Sequence, residues 1–181
     1  NDNQHKCSED GTVFSGSDST IISSVTFSDV INTFKHFHLA EEIYLLALSF
    51  HINSNQSHSE RARDLILEYG ELYPQLTRHD RYGVTGSSAR PAAAFIMCQT
   101  LEEAEWMIDV ASGYDLLRET GLFTEENKAM LVANLFKPVA DLLVSDSKGI
   151  HNIQCFLNTG AFLAYILAGE PELARERIYA S

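Results

Sequence analysis

The sequence predicts an all-α fold made of antiparallel αα-hairpins stacked side by side. Three observations lead there. Apolar residues recur three and four positions apart through most of the chain, the spacing that gathers them on one helical face. Helix start and stop signals punctuate that pattern. No stretch alternates apolar and polar residues beyond a few positions, so strands have no support.

Residues 1–24 are polar, rich in Ser, Gly and Asp, and read as an irregular N-terminal segment. Residues 25–181 read as the helical domain. Phe27, Val30, Phe34 and Phe37, then Ile43 to Leu48, repeat at helical spacing up to about His51. Ser57-His58-Ser59-Glu60 has the form of a capping box with Ser57 as N-cap. The helix it opens carries Ala62, Leu65, Ile66 and Tyr69 and ends near Tyr73-Pro74. Residues 75–100, with Gly83, Gly86 and Pro91, form a connection long enough to expect a function for it. Thr100-Leu101-Glu102-Glu103 is a second capping box, whose helix sets Leu101, Ala104, Ile108, Ala111 and Tyr114 on one face. After Gly121, Thr124-Glu125-Glu126 starts a fourth helix with Leu131, Leu135, Val139 and Leu142 inward. A fifth runs from Asn152 to about Ala168 and stops at Gly169; Pro171 suits the first turn of a sixth, cut short near Ser181. Paired in order, the six helices give three hairpins, part of an incomplete α/α toroid.

A chain of 181 residues, 45% hydrophobic, is one globular domain or a large piece of one. Its net charge of −12 counts against non-specific binding to nucleic acid or to an anionic membrane, since both need cationic surface. Cys7, Cys98 and Cys155 lie far apart and imply neither a disulfide framework nor a metal site. No metal or cofactor is expected. No apolar run reaches the length of a membrane span. The first residues, Asn1 to His5, lack a signal-peptide pattern and read as an internal start.

The fifth helix concentrates the chemistry. Its body, with Phe162, Leu163, Tyr165, Ile166 and Leu167, is apolar on all sides and is expected to be buried between neighbours. Its polar groups gather in the first two turns: His151, Gln154 and Asn158 share a stripe, with Asn152 beside it. Buried amides and imidazoles need partners. Capping and interhelical hydrogen bonding account for such groups singly; four of them converging on one helix end also suit a binding site.

His151-Asn152-Ile153-Gln154 through Glu170 resembles the start of an inner helix in heparinase II/III-like and alginate lyase-like polysaccharide lyases. Four further blocks resemble that family in the same order. They are His5 to Gly16, Ala62 to Tyr69 with Tyr73-Pro74, Gln99 to Trp106, and Tyr114-Asp115-Leu116-Leu117. In the first block Asp10 stands where the family has a second Cys, which leaves that block without support for a metal role. The resemblance implies the N-terminal helical part of an enzyme that cleaves uronic-acid-containing polysaccharide by β-elimination. It also implies a periplasmic or secreted location, an acidic polysaccharide as partner, and a downstream β-domain. The family's Tyr and His catalytic residues are expected beyond Ser181, so the site is expected to be incomplete in this chain.

Elimination removes the proton on C5 beside a carboxylate and protonates the leaving oxygen. Charge then accumulates on a group already anionic, and the site must neutralise it. An Asn amide at a helix N-terminus suits this, because it donates a hydrogen bond where the dipole and free N–H groups favour an anion. The resemblance assigns that role to Asn152, with His151 as the second catalytic candidate and Gln154 as a further donor. Asn158, Gln99 and Glu103 are candidates for lining the groove, although capping is the better account of Glu103; Tyr114 and Asp115 suit packing and helix-end roles. Arg78, Arg81 and Arg90, set against Asp80 alone, make residues 75–100 locally basic and are expected to contact an acidic substrate. Two alternatives remain open: a glycoside hydrolase on an α/α barrel, which needs two carboxylates across a cleft, and a non-catalytic helical scaffold binding carbohydrate or protein.

Overall fold

A computed structural model describes residues 27–146, 149 and 151–179, with side chains between residues 30 and 176. The N-terminal segment 1–24, with the block from His5 to Gly16, lies outside the described residues, as does Ser181. The described residues form seven helices: α1 (Phe27–Asn53), α2 (Gln56–Leu72), α3 (Thr100–Leu117), α4 (Glu125–Leu131), α5 (Lys137–Ser145), α6 (Asn152–Leu167) and α7 (Pro171–Tyr179). No strand occurs among them; His79 makes isolated bridges to Thr85 and Ala94 inside the long connection. The fold is all-α, as the periodicity predicts.

The helices form a row, α1–α3–α6, against which the others lie: α2 on α1, α5 and α7 on α6. Two glycines set the row's spacing. A Cβ on Gly113 would lie 2.5 Å from Ile43 Cγ2, and one on Gly160 would lie 3.2 Å from Ala104 Cα. Only hydrogen fits at these crossings, which lets the helix backbones close on each other.

The contacts also fix direction. Ile43 faces Gly113, and His51 Nε2 donates to the Leu116 carbonyl at 2.7 Å, so α1 and α3 run the same way. Helix α5 runs against α6, with Asp141 accepting from the Tyr165 hydroxyl at 2.7 Å and Leu143 touching Gly160. The Thr100 hydroxyl donates to Asp146 at the end of α5, which brings the start of α3 to the start of α6. Helix α2 returns antiparallel to α1, joined by a hydrogen bond between the Tyr69 hydroxyl and His36 Nδ1. The starts of α3 and α6, the end of α2 and the long connection therefore share one end of the row.

The core is continuous through the row and its flanking helices. Trp106 is wholly buried, edge-on to Tyr69 and stacked on Tyr73; truncating such a residue typically costs about 3–5 kcal/mol. Ala62, Leu65, Ile66 and Tyr69 are buried, as are Leu131, Leu135, Val139 and Leu142. Tyr114 packs on Phe123 and Phe136, while Asp115 is exposed and pairs with Arg118 at 3.0 Å.

Several local expectations are corrected. Asn55, and not Ser57, caps α2: its side chain accepts from the Ser57 N–H. The box predicted at Thr100 does not form, and Gln99 holds the N-cap position without a side-chain bond. Thr100 and Glu103 are committed elsewhere. On α3 the buried residues are Thr100, Glu103, Ala104, Trp106, Met107, Val110, Ala111, Gly113, Tyr114 and Leu117, with Leu101 and Ile108 only partly covered. The predicted fourth helix is α4 and α5 joined by a π-type segment, Val132–Phe136, in which the Lys137 N–H donates five residues back to Val132. Pro138 follows and has no N–H to continue the α pattern. Its Thr124 cap is as expected, reciprocated by Asn127. Finally, α6 is not enclosed: Phe156, Ile166 and Cys155 are exposed, because α3, α5 and α7 leave that face uncovered among the described residues.

Candidate functional site

At the shared end, α6 begins with an open polar turn. His151 has extended backbone (φ −152°, ψ 148°), and its Nδ1 accepts from the Ile153 N–H at 3.1 Å. An accepting Nδ1 leaves the ring's proton on Nε2. Asn152 is the first helical residue and is exposed. No acidic residue stands in this first turn, so the positive end of the helix dipole is not offset from within the helix. Gln154 is buried and donates to Asn158 Oδ1 at 2.7 Å, so these two stripe residues pair with each other.

The start of α3 differs. Gln99 donates to Glu102 at 3.0 Å, and the Cys98 thiol donates to the same carboxylate at 3.3 Å. Burial, with Glu102 beside it, pushes the Cys98 thiol up to about 12, so it stays protonated and is no nucleophile. Glu103 is fully buried and turns back under the connection, accepting from the N–H groups of Met97 at 2.7 Å and Ile96 at 3.1 Å. Burial pushes its carboxyl up to about 7, although those donors favour the ionised form. The buried Tyr73 hydroxyl lies beside this carboxyl but outside hydrogen-bond geometry. Glu103 thus fastens the end of the connection to α3 and offers no surface to a saccharide.

The connection is organised by Asp80, a residue the sequence reading set aside. Its carboxylate accepts from the N–H groups of Tyr82 at 2.9 Å, Val84 at 3.1 Å and Arg90 at 3.2 Å. Burial works against ionisation, yet these donors outweigh it and hold the carboxyl below its ordinary range. The signal was available in Asp80-Arg81-Tyr82-Gly83, where an Asp two residues before a turn N–H is a common brace. Of the three predicted arginines, Arg78 is used internally: its guanidinium donates to the carbonyls of Ala93 and Pro91. Arg81 and Arg90 are exposed and lie 5.1 Å and 4.2 Å from the centre of the Tyr82 ring. Among the described residues no group of His, Cys, Asp and Glu is placed to hold a metal ion.

The structure therefore brings Gln99, His151, Asn152 and the basic connection to one end, where Glu103 is buried and Arg78 is bonded internally, so that these two are turned away from a ligand. No family model matches the chain. Curated proteins do. An alginate lyase of Stenotrophomonas maltophilia (strain K279a) is 29% identical over 106 residues, 57% of this chain and 13% of that protein. An exo-oligoalginate lyase of Saccharophagus degradans is 27% identical over 103 residues, with the same shares. The matched region thus spans about an eighth of each relative. The resemblance to alginate lyase-like polysaccharide lyases holds at this level: over 57% of its length the chain is similar to part of two such enzymes.

Proposed function

We propose that the chain is the helical part of a polysaccharide lyase that cleaves a uronate polymer, alginate foremost, by β-elimination, and that the shared end of the row neutralises the substrate's carboxylate. The observation that carries this reading is the kinship with two alginate lyases. The open start of α6 supports it. Asn152 is the exposed amide at the positive end of an uncompensated dipole, and it donates to the carboxylate as charge builds there. His151, with Nδ1 occupied by its own helix, acts through Nε2–H as a second donor and not as the base.

The carboxylates at this end argue against a glycoside hydrolase. Glu102, Asp80 and Asp146 are each hydrogen-bonded to neighbouring groups and Glu103 is buried, so none of these four is a free acid or base facing a cleft. The proton-transferring residues belong, in this reading, to other parts of the whole protein, together with a β-domain. The enzyme works where such polymers are met, in the periplasm or outside the cell. No helix among the described residues is long and apolar enough to cross a membrane.

The test is direct. Full-length protein is incubated with alginate and other uronate polymers, and the ultraviolet absorbance of the unsaturated product is followed. Product from at least one polymer is expected. A folded full-length protein that yields none from any of them sinks the reading.

A further inference from the structure

We propose that Arg81 and Arg90, held together on the ring of Tyr82, form a second carboxylate-binding site, which takes a uronate unit of the chain whose reacting unit lies at the start of α6. The inference rests on the lyase reading above and adds to it a site with its own residues.

Three observations carry it. First, the two cations are fixed in relation to each other. Their guanidinium carbons lie 5.1 Å and 4.2 Å from the same ring centre, a spacing at which the ring quadrupole attracts both. The backbone beneath them is pinned at both ends to one carboxylate, since Asp80 accepts from Tyr82 and Val84 on one side and from Arg90 on the other. Main-chain bonds from Gly83 to the Asp80 carbonyl at 2.9 Å and from Gly86 to the Arg78 carbonyl at 2.8 Å close the same loop. Little ordering entropy remains to be lost when an anion arrives.

Second, both cations are left open. Arg61, Arg63 and Arg118 pair with Glu42, Asp64 and Asp115, and Arg78 bonds to carbonyls. Among the described residues, Arg81 and Arg90 have neither kind of partner and keep their planar donor forks exposed. In a chain of net charge −12, acids for pairing are plentiful, yet neither guanidinium makes an ion pair among the described residues; the carboxylate whose charge Arg90 feels, Asp80, is occupied by backbone donors. Arginine forks match a carboxylate by paired N–H bonds. With guanidinium groups over it, Tyr82 serves to hold the cations and not to stack a sugar.

Third, the pair belongs to the same end of the row. It lies in the connection that runs into the start of α3, where the Thr100 hydroxyl donates to Asp146 at the end of α5, and α5 runs antiparallel to α6. A polymer bearing one carboxylate per sugar can meet both positions at once. A neutral polymer gains nothing from the second.

Initial rates of the full-length enzyme test this, with long uronate polymer and with the shortest oligomer it cleaves. Arg81→Gln with Arg90→Gln is expected to raise KM for the polymer roughly tenfold to a hundredfold, the range for losing charge-assisted bonds. Its kcat should stay within about twofold, and added salt should raise KM less steeply than in wild type, because exposed charges are screened over about 10 Å at 0.1 M. The shortest oligomer should be much less affected. Tyr82→Leu keeps both charges and frees them, and is expected to raise polymer KM by a smaller factor. Unchanged polymer KM and salt dependence in the double variant, with wild type active, overturns the second site and leaves the lyase reading standing. Unchanged KM in Tyr82→Leu overturns the part given to the ring. Failure of wild type to act on any uronate polymer overturns both readings.

Discussion

The starts of α3 and α6 lie at the same end of one row, and both are rich in polar residues, yet they commit those residues in opposite directions. At α3, Gln99 and Cys98 turn to Glu102, Thr100 to Asp146, and Glu103 to the backbone of Ile96 and Met97. Acids stand in its first turn, and they compensate the helix dipole. At α6, His151 makes the cap, Asn152 is exposed, and no acid stands in the first turn. One start is tied into the fold and the other is left exposed. The difference teaches that residue type at a helix end does not separate structure from function. Burial and the presence of an internal partner do.

The largest expected effect is at α3. Glu103→Ala leaves two buried N–H groups without an acceptor and should cost about 2–4 kcal/mol in chemical denaturation. Its pH dependence has a definite sign. The folded carboxyl titrates near 7 and the unfolded one near 4.5, so between those values the native state keeps a proton that the unfolded chain has released. Stability from this group is therefore greatest below 4.5 and falls as pH rises to 7. Subtracting the Glu103→Gln curve from that of wild type should isolate this decline; a flat difference removes Glu103 from the argument.

At α6 the effect should fall on rate alone. Asn152→Ala in the full-length enzyme is expected to slow turnover by about a hundredfold or more, the usual cost of losing a donor to developing negative charge. Its unfolding free energy should move by less than about 0.5 kcal/mol, as for an exposed substitution. If stability falls along with rate, the two starts are not different in kind. Between them lies the Thr100–Asp146 bond. Thr100→Val should lower stability by about 0.5–1.5 kcal/mol in chemical denaturation, the range for the loss of one hydrogen bond. The smallest effect is at the cap: His151→Ala should cost about 0.5–1 kcal/mol, with His151→Asn restoring most of it in thermal melts.

Much of this architecture is written in local signals. The Thr124 cap, the inward face of α2 and the limits of α6 need only neighbouring residues to specify them, and they were legible. What was not legible depends on distant parts of the chain. Ser57 and Asn55 are both good capping residues. Asn55 takes the role after a reversal at Ser54, whose φ is +57°. Glu103 fits a capping box, but the connection folds back and delivers the N–H groups of Ile96 and Met97, which compete successfully. The apolar girth of α6 suggested burial all round, since composition records no neighbour's absence. In the site, the stripe at the start of α6 could be read, whereas Tyr82 drew no notice because its two arginines converge only through the bonds of Asp80.

The π-type segment Val132–Phe136 carries a further consequence, for how the chain tolerates change. It accommodates one residue more than an α-helix would over the same turn. Deleting a single residue there would let the segment close into regular α-helix, so Val139, Ala140 and Leu143 would stay in the core and Asp141 would keep the Tyr165 hydroxyl. Deleting one from the α-helical turns on either side has no such outlet and would rotate everything after it by about 100°. The segment is thus where this rod tolerates a change of length, while its buried Leu135 and Phe136 restrict which side chains it can carry.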